Sequence, residues 1–303
     1  MAQENLAGRS VSNYRLLESI GEGGTATVYR AEHPERGVCA VKILKQRLRN
    51  DPTAVQRFLR EAEFGTRVEH SAVVKTYEYG EDHDLYFLAL EWANGEPLAD
   101  FVQRTRRVAP ELAAHITSQL AGGLVVAHKA DIVHRDLKPE NIVYDPETKV
   151  VKLLDFGIAR DAQADPAQRL TRTGFFVGTL QYVAPEALSG ELVGPAADIY
   201  SLATITYYTL TGRHPFDGRS PRELFQQLLT TDPTPLNQAE KGLKFSDQLE
   251  SAVMQGLARE PDKRQASAED YANAVQDAVE EKGGQPEKGG FMGVFKGIIG
   301  RKG

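Results

Sequence analysis

The 303-residue sequence holds one cysteine, Cys39. A lone thiol closes no disulfide within the chain, so a reducing cytoplasm is its expected home. No apolar run approaches the ~20 residues that a membrane-spanning helix needs. Met1, Ala2, Gln3, Glu4 and Asn5 give no charged start followed by an apolar run, so no signal peptide is expected. Basic excess is also missing. Lys and Arg number 36 against 42 Asp and Glu, a formal charge of -6, which speaks against nucleic acid as a partner. There is no internal repeat. The composition is 41% hydrophobic and 26% charged, ordinary for a soluble globular chain of one or two domains.

The stretch 134–157 organises the rest. Asn141-Ile142-Val143-Tyr144 and Val150-Val151-Lys152-Leu153-Leu154 flank a turn, Asp145-Pro146-Glu147-Thr148, which predicts a β-hairpin. Folding it brings His134-Arg135-Asp136, Lys138 and Asn141 beside Asp155-Phe156-Gly157. Oxygen donors and one ammonium then share a small space, a set suited to Mg²⁺ and phosphate.

Upstream, Gly21-Glu22-Gly23-Gly24-Thr25-Ala26 lies between two strand patterns, Leu16-Leu17-Glu18-Ser19-Ile20 and Thr27-Val28-Tyr29-Arg30-Ala31. Glycines there allow backbone N–H groups to approach an anion. A dinucleotide-binding turn would be followed by a helix and an acidic residue ~20 positions on. Here a strand follows and Lys42 stands near that distance. A Walker loop needs G-K-[ST], which is absent. In Val38-Cys39-Ala40-Val41-Lys42-Ile43-Leu44, alternation puts Ala40 and Lys42 on one face and Cys39, a core thiol, on the other. Asp51 and Pro52 start a helix. Val73 to Tyr79 and Leu85 to Leu90 read as two more strands. Residues 1–13 read as polar and frayed.

The pattern H-R-D-x-x-x-x-N followed by D-F-G resembles the catalytic domain of Hanks-type protein serine/threonine kinases, most of all the bacterial ones. The resemblance covers about residues 14–280. It implies an α+β, two-lobed fold: a small antiparallel β-sheet lobe with helix αC, and a larger, mainly helical lobe. Residues 14–93 would form the first lobe and 94–280 the second, with a flexible segment at 1–13 and a basic, apolar tail at 281–303.

It also implies ATP and Mg²⁺ (or Mn²⁺) as cofactors and proteins as substrates. Gly21, Glu22, Gly23, Gly24, Thr25, Ala26 and Val28 would cover the nucleotide, with Ala26 departing from the family's third glycine. Ala40 would floor the adenine site, and Lys42 would reach the phosphates and pair with Glu61 rather than Glu63. Leu90 would be the gatekeeper, and Glu91-Trp92-Ala93 the hinge. Asp136 would orient the substrate hydroxyl and accept its proton, and Lys138 would stabilise charge on the transferring group. Asn141 and Asp155 would hold the metal ions. Thr179 would bond the catalytic aspartate, and Thr171 and Thr173 would be autophosphorylation sites, with Arg135 as a phosphate partner. Asp198 would cap its helix and anchor the catalytic loop, and Arg264 would pair with Glu186. His134 reads as packing, and His115 and His128 as helix-face histidines. Gly65, mid-helix, costs ~1 kcal/mol and implies a weakly held αC.

Residues 282–303 carry Lys282, Lys288, Lys296, Arg301 and Lys302 against Glu287. Phe291, Met292, Val294, Phe295, Ile298 and Ile299 fall at one-sided helical spacing, which fits docking of the tail on an anionic membrane or in a hydrophobic groove. Self-association would serve phosphorylation in trans. Two competing classes are a pseudokinase scaffold and a small-molecule kinase on the same fold. Lys42, Glu61, Asp136, Asn141 and Asp155 argue against the first, and the threonine-bearing segment 155–186 against the second.

Overall fold

Alternating burial sets the strands. In the computed structural model, which describes residues 4–155, 180–189 and 193–283, the first sheet has the order β1-β2-β3-β4-β6-β5, with every neighbouring pair antiparallel. The strands are β1 Ser10–Val11, β2 Tyr14–Glu22, β3 Ala26–His33, β4 Gly37–Leu44, β5 Thr76–Asp82 and β6 Leu85–Glu91. Both faces are covered. Leu16, Tyr29, Cys39, Val41 and Phe87 pack on one side, joined by Leu6 and Val11. The other side packs Leu44, Leu88 and Leu90 against Phe58 and Ala62 of helix α1, Pro52–Arg67.

Two expectations are corrected here. The frayed N-terminus is packed over residues 4–11: Leu6 is buried, its N–H donates to the Tyr29 hydroxyl, and Glu4 accepts from Arg49 Nη1 at 3.2 Å. A buried leucine and an ion pair outweigh the polarity of that stretch. The strand expected at 73–79 starts at Thr76, because Val73 instead forms a parallel bridge with Leu153 of the second sheet.

Helix α1 begins as its sequence demands. The Asp51 carboxylate accepts from the Thr53 and Ala54 N–H groups, and Pro52 needs no donor partner at the first position. Gly65 has a packing reason, not a weakness of the helix. A Cβ at that position would lie 2.4 Å from Thr76 Oγ1, so the glycine lets α1 sit close to β5. Alanine gains ~1 kcal/mol of helix propensity over glycine, but only where it fits. Gly65→Ala is therefore expected to be more favourable in a Thr76→Ala background than in the wild type, by about 1–2 kcal/mol. Denaturant unfolding of the four-member cycle measures this, and additivity would contradict the packing account.

A second, three-stranded sheet of β7 Glu96–Pro97, β8 Ile142–Tyr144 and β9 Val151–Leu153 is interleaved with the helical region. Gly95, at φ +116°, passes close to Tyr144, where a Cβ would lie 2.3 Å from the carbonyl oxygen. Helices α2 Leu98–Thr105, α3 Pro110–Lys129, α4 Pro185–Ser189, α5 Pro195–Thr211, α6 Pro221–Thr230, α7 Asp247–Gly256 and α8 Ala268–Gly283 complete the fold. Helix α5 is buried nearly all round, as its apolar sequence predicts. Its threonines are satisfied inside the helix: Thr204, Thr206 and Thr211 each donate to the carbonyl four residues back.

Asp198 is not the cap of α5. The helix starts at Pro195 after Gly194, and Asp198, in the first turn, turns its carboxylate away to the catalytic loop.

His214 lies against two tyrosines. Its Nε2 is 2.9 Å from the Tyr182 hydroxyl, and its ring stacks on Tyr208. Burial pushes its pKa down to about 4 from 6.5, so the folded protein holds it neutral. The unfolded chain binds that proton first as pH falls. The His214 contribution is thus complete above about pH 6.5 and lost toward pH 4, roughly 3 kcal/mol in all. His214→Asn is expected to flatten the acid limb of a stability-versus-pH curve. An unchanged limb would exclude His214 as its source.

Candidate active site

Strand register sets the first half of the site. Val28 is opposite Lys42, Lys42 opposite Leu88, and Ala40 opposite Leu90, so these residues share the sheet face that looks away from Cys39 and Val41. Only Gly23, Gly24 and Thr25 separate β2 from β3. Gly21, Glu22, Gly23, Gly24 and Thr25 are exposed, and Cβ atoms added at Gly21 and Gly24 would meet nothing within 4 Å. Ala26 is a buried strand residue opposite Leu44 with negative φ, so the departure from glycine is harmless there. Lys45 Nζ binds Glu22 Oε1 at 2.5 Å and Arg47 donates to the Gly24 carbonyl, tying the glycine loop to the segment after β4.

Lys42 makes two ion pairs, with Glu61 Oε1 at 2.5 Å and Asp155 Oδ2 at 3.1 Å. Glu61 comes from α1 one helical turn after Phe58, while Glu63 is exposed. Burial alone would lower the Lys42 pKa, but Asp155 and Glu61 outweigh it and raise it, so the ammonium stays charged. Burial raises the Glu61 carboxyl, with Lys42 opposing. Asp155 is the open member of the trio, its side chain 36% exposed against 11% for Lys42.

The hairpin supplies the second half. Residues 139–141 form a single 3-10 turn before β8, and Asn141 Nδ2 donates to the Asp136 carbonyl at 3.1 Å and to its Oδ2 at 3.3 Å. Lys138 Nζ stands 3.2 Å from Asp136 Oδ2. Leu154 N–H donates to the Asn141 carbonyl, which holds the two hairpin ends together beside Asp155.

Asp198 fixes the backbone of this loop. Its Oδ2 accepts from His134 N–H at 2.8 Å and its Oδ1 from Arg135 N–H at 2.9 Å. Arg135 is held at φ 63°, a conformation unfavourable for a side-chain-bearing residue unless its surroundings enforce it.

His128 and His134 do more than sequence reasoning assigned them. His128 Nε2 is 2.8 Å from Asp198 Oδ2. His134 is fully buried, accepts from Asp136 N–H through Nδ1, and engages the Asp155 backbone. Burial lowers its pKa despite three nearby carboxylates, so it is a neutral positioning residue. No spacing rule flags such a histidine, because its partners arrive from other elements.

At the expected hinge, Glu91 N–H already donates to the Lys75 carbonyl, so a hinge donor has to be another backbone group. The Glu91 carboxylate binds Lys152 Nζ at 2.6 Å and accepts from Lys75 N–H, linking the two sheets. Ala93 packs at the edge of the cluster that holds Leu90 and Ala40. Thr171, Thr173, Thr179, Phe156, Gly157 and the segment 291–299 lie outside the described residues.

Residues 14–276 match the family model described as protein kinase domain. This chain belongs to the protein kinase family. The kinase is 38% identical over 265 residues to the serine/threonine-protein kinase pkn2 of Myxococcus xanthus, covering 86% of this chain and 32% of that protein. It is 36% identical over 290 residues to PknA of Corynebacterium glutamicum (91% of this chain, 59% of the relative). It is 37% identical over 269 residues to PknB of Mycobacterium tuberculosis H37Rv (86% and 42%). The chain therefore spans about a third to three fifths of the length of these curated relatives.

Among solved structures, the kinase domain of Mycobacterium tuberculosis PknI superposes with a TM-score of 0.69 at 25% identity, covering 90% of this chain and 98% of that one. Rad53 1-466 in complex with AMP-PNP gives 0.71 at 27% identity, covering 88% and 65%. The kinase fold inferred from the motifs is thus the observed one. Among the described residues, no helix is long and apolar enough to cross a membrane.

The donor set fits Mg²⁺ with nucleotide phosphates. Among the described residues, no three His, Cys, Asp or Glu side chains converge as an all-protein metal cage. Mg²⁺ is commonly held by one or two carboxylates plus substrate phosphates. Asp155 and the Asn141 carboxamide oxygen would provide that minimal set, and Lys42 would take phosphate charge.

Proposed function

We propose that this chain is an active protein serine/threonine kinase that transfers the γ-phosphoryl group of ATP to hydroxyls of proteins, its own activation segment included. One observation carries the reading: Lys42 bridges Glu61 and Asp155 while Asp136, Lys138 and Asn141 stand assembled on the adjoining loop. A scaffold has no need for this set.

The division of labour follows from the chemistry. Lys42, held charged and aimed by Glu61, binds phosphate oxygens. Bound Mg²⁺, or Mn²⁺ with the same oxygen ligands, neutralises phosphate charge. Asp136 orients the acceptor hydroxyl and takes its proton, and its main service is positioning, since a carboxylate is a weak base. Lys138 beside it offsets charge on the transferring group. Gly21 through Ala26 and Val28 cover the nucleotide, Ala40 and Leu90 shape the adenine end, and the hinge backbone near Ala93 recognises the base.

Thr171 and Thr173 are the proposed phosphoacceptors, modified in trans by a second copy, and Thr179 the residue that bonds Asp136. Arg135 supports a phosphate-ordered segment: its Nε is buried without a hydrogen-bond partner among the described residues. A phosphate adds charge of about -1.5 to -2 and satisfies such a donor. A lone, buried Cys39 and the lack of a membrane-crossing helix among the described residues support a cytoplasmic signalling role.

The test is incubation with ATP and Mg²⁺, followed by mapping of phosphate by mass spectrometry. Phosphate on Thr171 or Thr173 in the wild type, and none in Asp136→Asn, is the expected result. ATP binding without phosphate on the chain or on any offered protein would favour the scaffold.

A further inference from the structure

The described chain ends on α8, and a cavity opens beside that end. Its volume is about 500 Å³, and it lies between the start of α3, the end of α5, the segment leading into α7 and the last turns of α8. Val108, Leu210, Phe245, Leu249, Ala278 and Val279 form its apolar wall. Its size falls within the range of ligand clefts, roughly 300–1,000 Å³. None of its lining residues belongs to the site described above.

We propose that this cavity is the docking site for the chain's own segment 291–299, with Phe291 and Phe295 as the inserted anchors. Connectivity is the first argument. Val279 is in the wall, and four residues later α8 ends at Gly283, about 6 Å further along the axis. Seven residues separate Gly283 from Phe291, and the eight steps between them span roughly 26 Å of extended chain. Pro286 stops a continuing helix, and Gly283, Gly284, Gly289 and Gly290 let the chain reverse direction.

The pattern of side chains is the second argument. Phe291, Phe295, Ile298 and Ile299 recur at i, i+4, i+7 and i+8, the spacing of a helix laid in an apolar groove. Gly293, Gly297 and Gly300 each oppose helix formation by ~1 kcal/mol, so the groove has to supply the order.

Charge is the third. The segment after 283 carries Lys288, Lys296, Arg301 and Lys302 against Glu287. The wall elements carry exposed Glu111, Asp247, Asp277 and Glu280. Of the two cations that line the cavity, Arg107 is already bridged to Glu240 at 3.6 Å. The basic tail that the sequence leaves open between a membrane and a groove thus has an apolar groove with acidic flanks within reach.

The experiment is hydrogen exchange on the full chain and on Phe291→Asp/Phe295→Asp, a variant that leaves the folded core untouched. Amides of residues 107–109, 111 and 243–249 are expected to exchange at least ~10-fold faster in the variant. Phe245→Arg, in the wall, is expected to release the tail amides of 291–299 in the same way. Equal exchange of the wall in wild type and tail variant would overturn the proposal. So would wall protection that disappears on dilution, which would make a second copy the occupant. Tail protection that arises only with anionic phosphatidylglycerol vesicles, the wall unchanged, would also overturn it by making a lipid surface the partner.

Discussion

Asp136→Asn is expected to lower the turnover rate by about 10²–10⁴-fold, the usual worth of a positioned acid–base group. The fold and ATP affinity should stay close to wild type. The carboxamide keeps an oxygen that can accept from Asn141 Nδ2 and lie near Lys138, the neighbours the carboxylate has now. Lys42, which would take the phosphate charge, and its partners Glu61 and Asp155 are a separate cluster. Steady-state kinetics beside a nucleotide-binding titration reads both quantities. A fall in rate with unchanged ATP Kd supports the assigned role. A variant as fast as the wild type would show that Asp136 is not the acceptor-positioning residue.

The second large effect is on stability. Arg264→Met is expected to cost about 3–5 kcal/mol, much of the roughly 5–15 kcal/mol that holds a domain folded. Arg264 binds both Glu186 oxygens, at 2.7 and 2.8 Å, and donates to the carbonyls of Ala196, Ala258 and Arg259. Its guanidinium also lies over the Tyr200 ring, 5.0 Å from the centroid. Removing it leaves the Glu186 carboxylate almost fully buried and without its counter-ion. The loss is therefore dominated by an uncompensated charge, not by a missing contact. Arg264→Met/Glu186→Leu should recover a substantial part of it. Urea unfolding measures both variants, and a double variant no better than Arg264→Met would refute this explanation.

Much of the site was legible because its chemistry is local in sequence. Asp136, Lys138 and Asn141 lie within six positions on one loop, and two short apolar runs around a turn bring Asp155 to them. The choice of Glu61 over Glu63 was also readable, since helical periodicity aligns Glu61 with buried Phe58. Arg264 and Glu186 were named by resemblance alone, because 78 residues separate them. What was missed is non-local. Nothing around His128 announces that it will reach Asp198, seventy positions on. Gly65 looked like a flaw in a helix until Thr76 was placed beside it. The N-terminal segment looked frayed because its burial rests on a leucine and one glutamate with distant partners.

The sequence by itself determined most of the strands, the start of α1 and, through the family's motifs, the residues proposed for phosphate and metal. Those follow from periodicity, turn chemistry and motif spacing, which act over a few residues. Only the tertiary structure decided that Lys42 bridges two carboxylates, that Asp198 serves the catalytic loop instead of its own helix, and that His134 and His214 are neutral. Each of these depends on which distant groups share a low-dielectric space. Burial and Coulomb interaction are set by distance in three dimensions, not by separation along the chain.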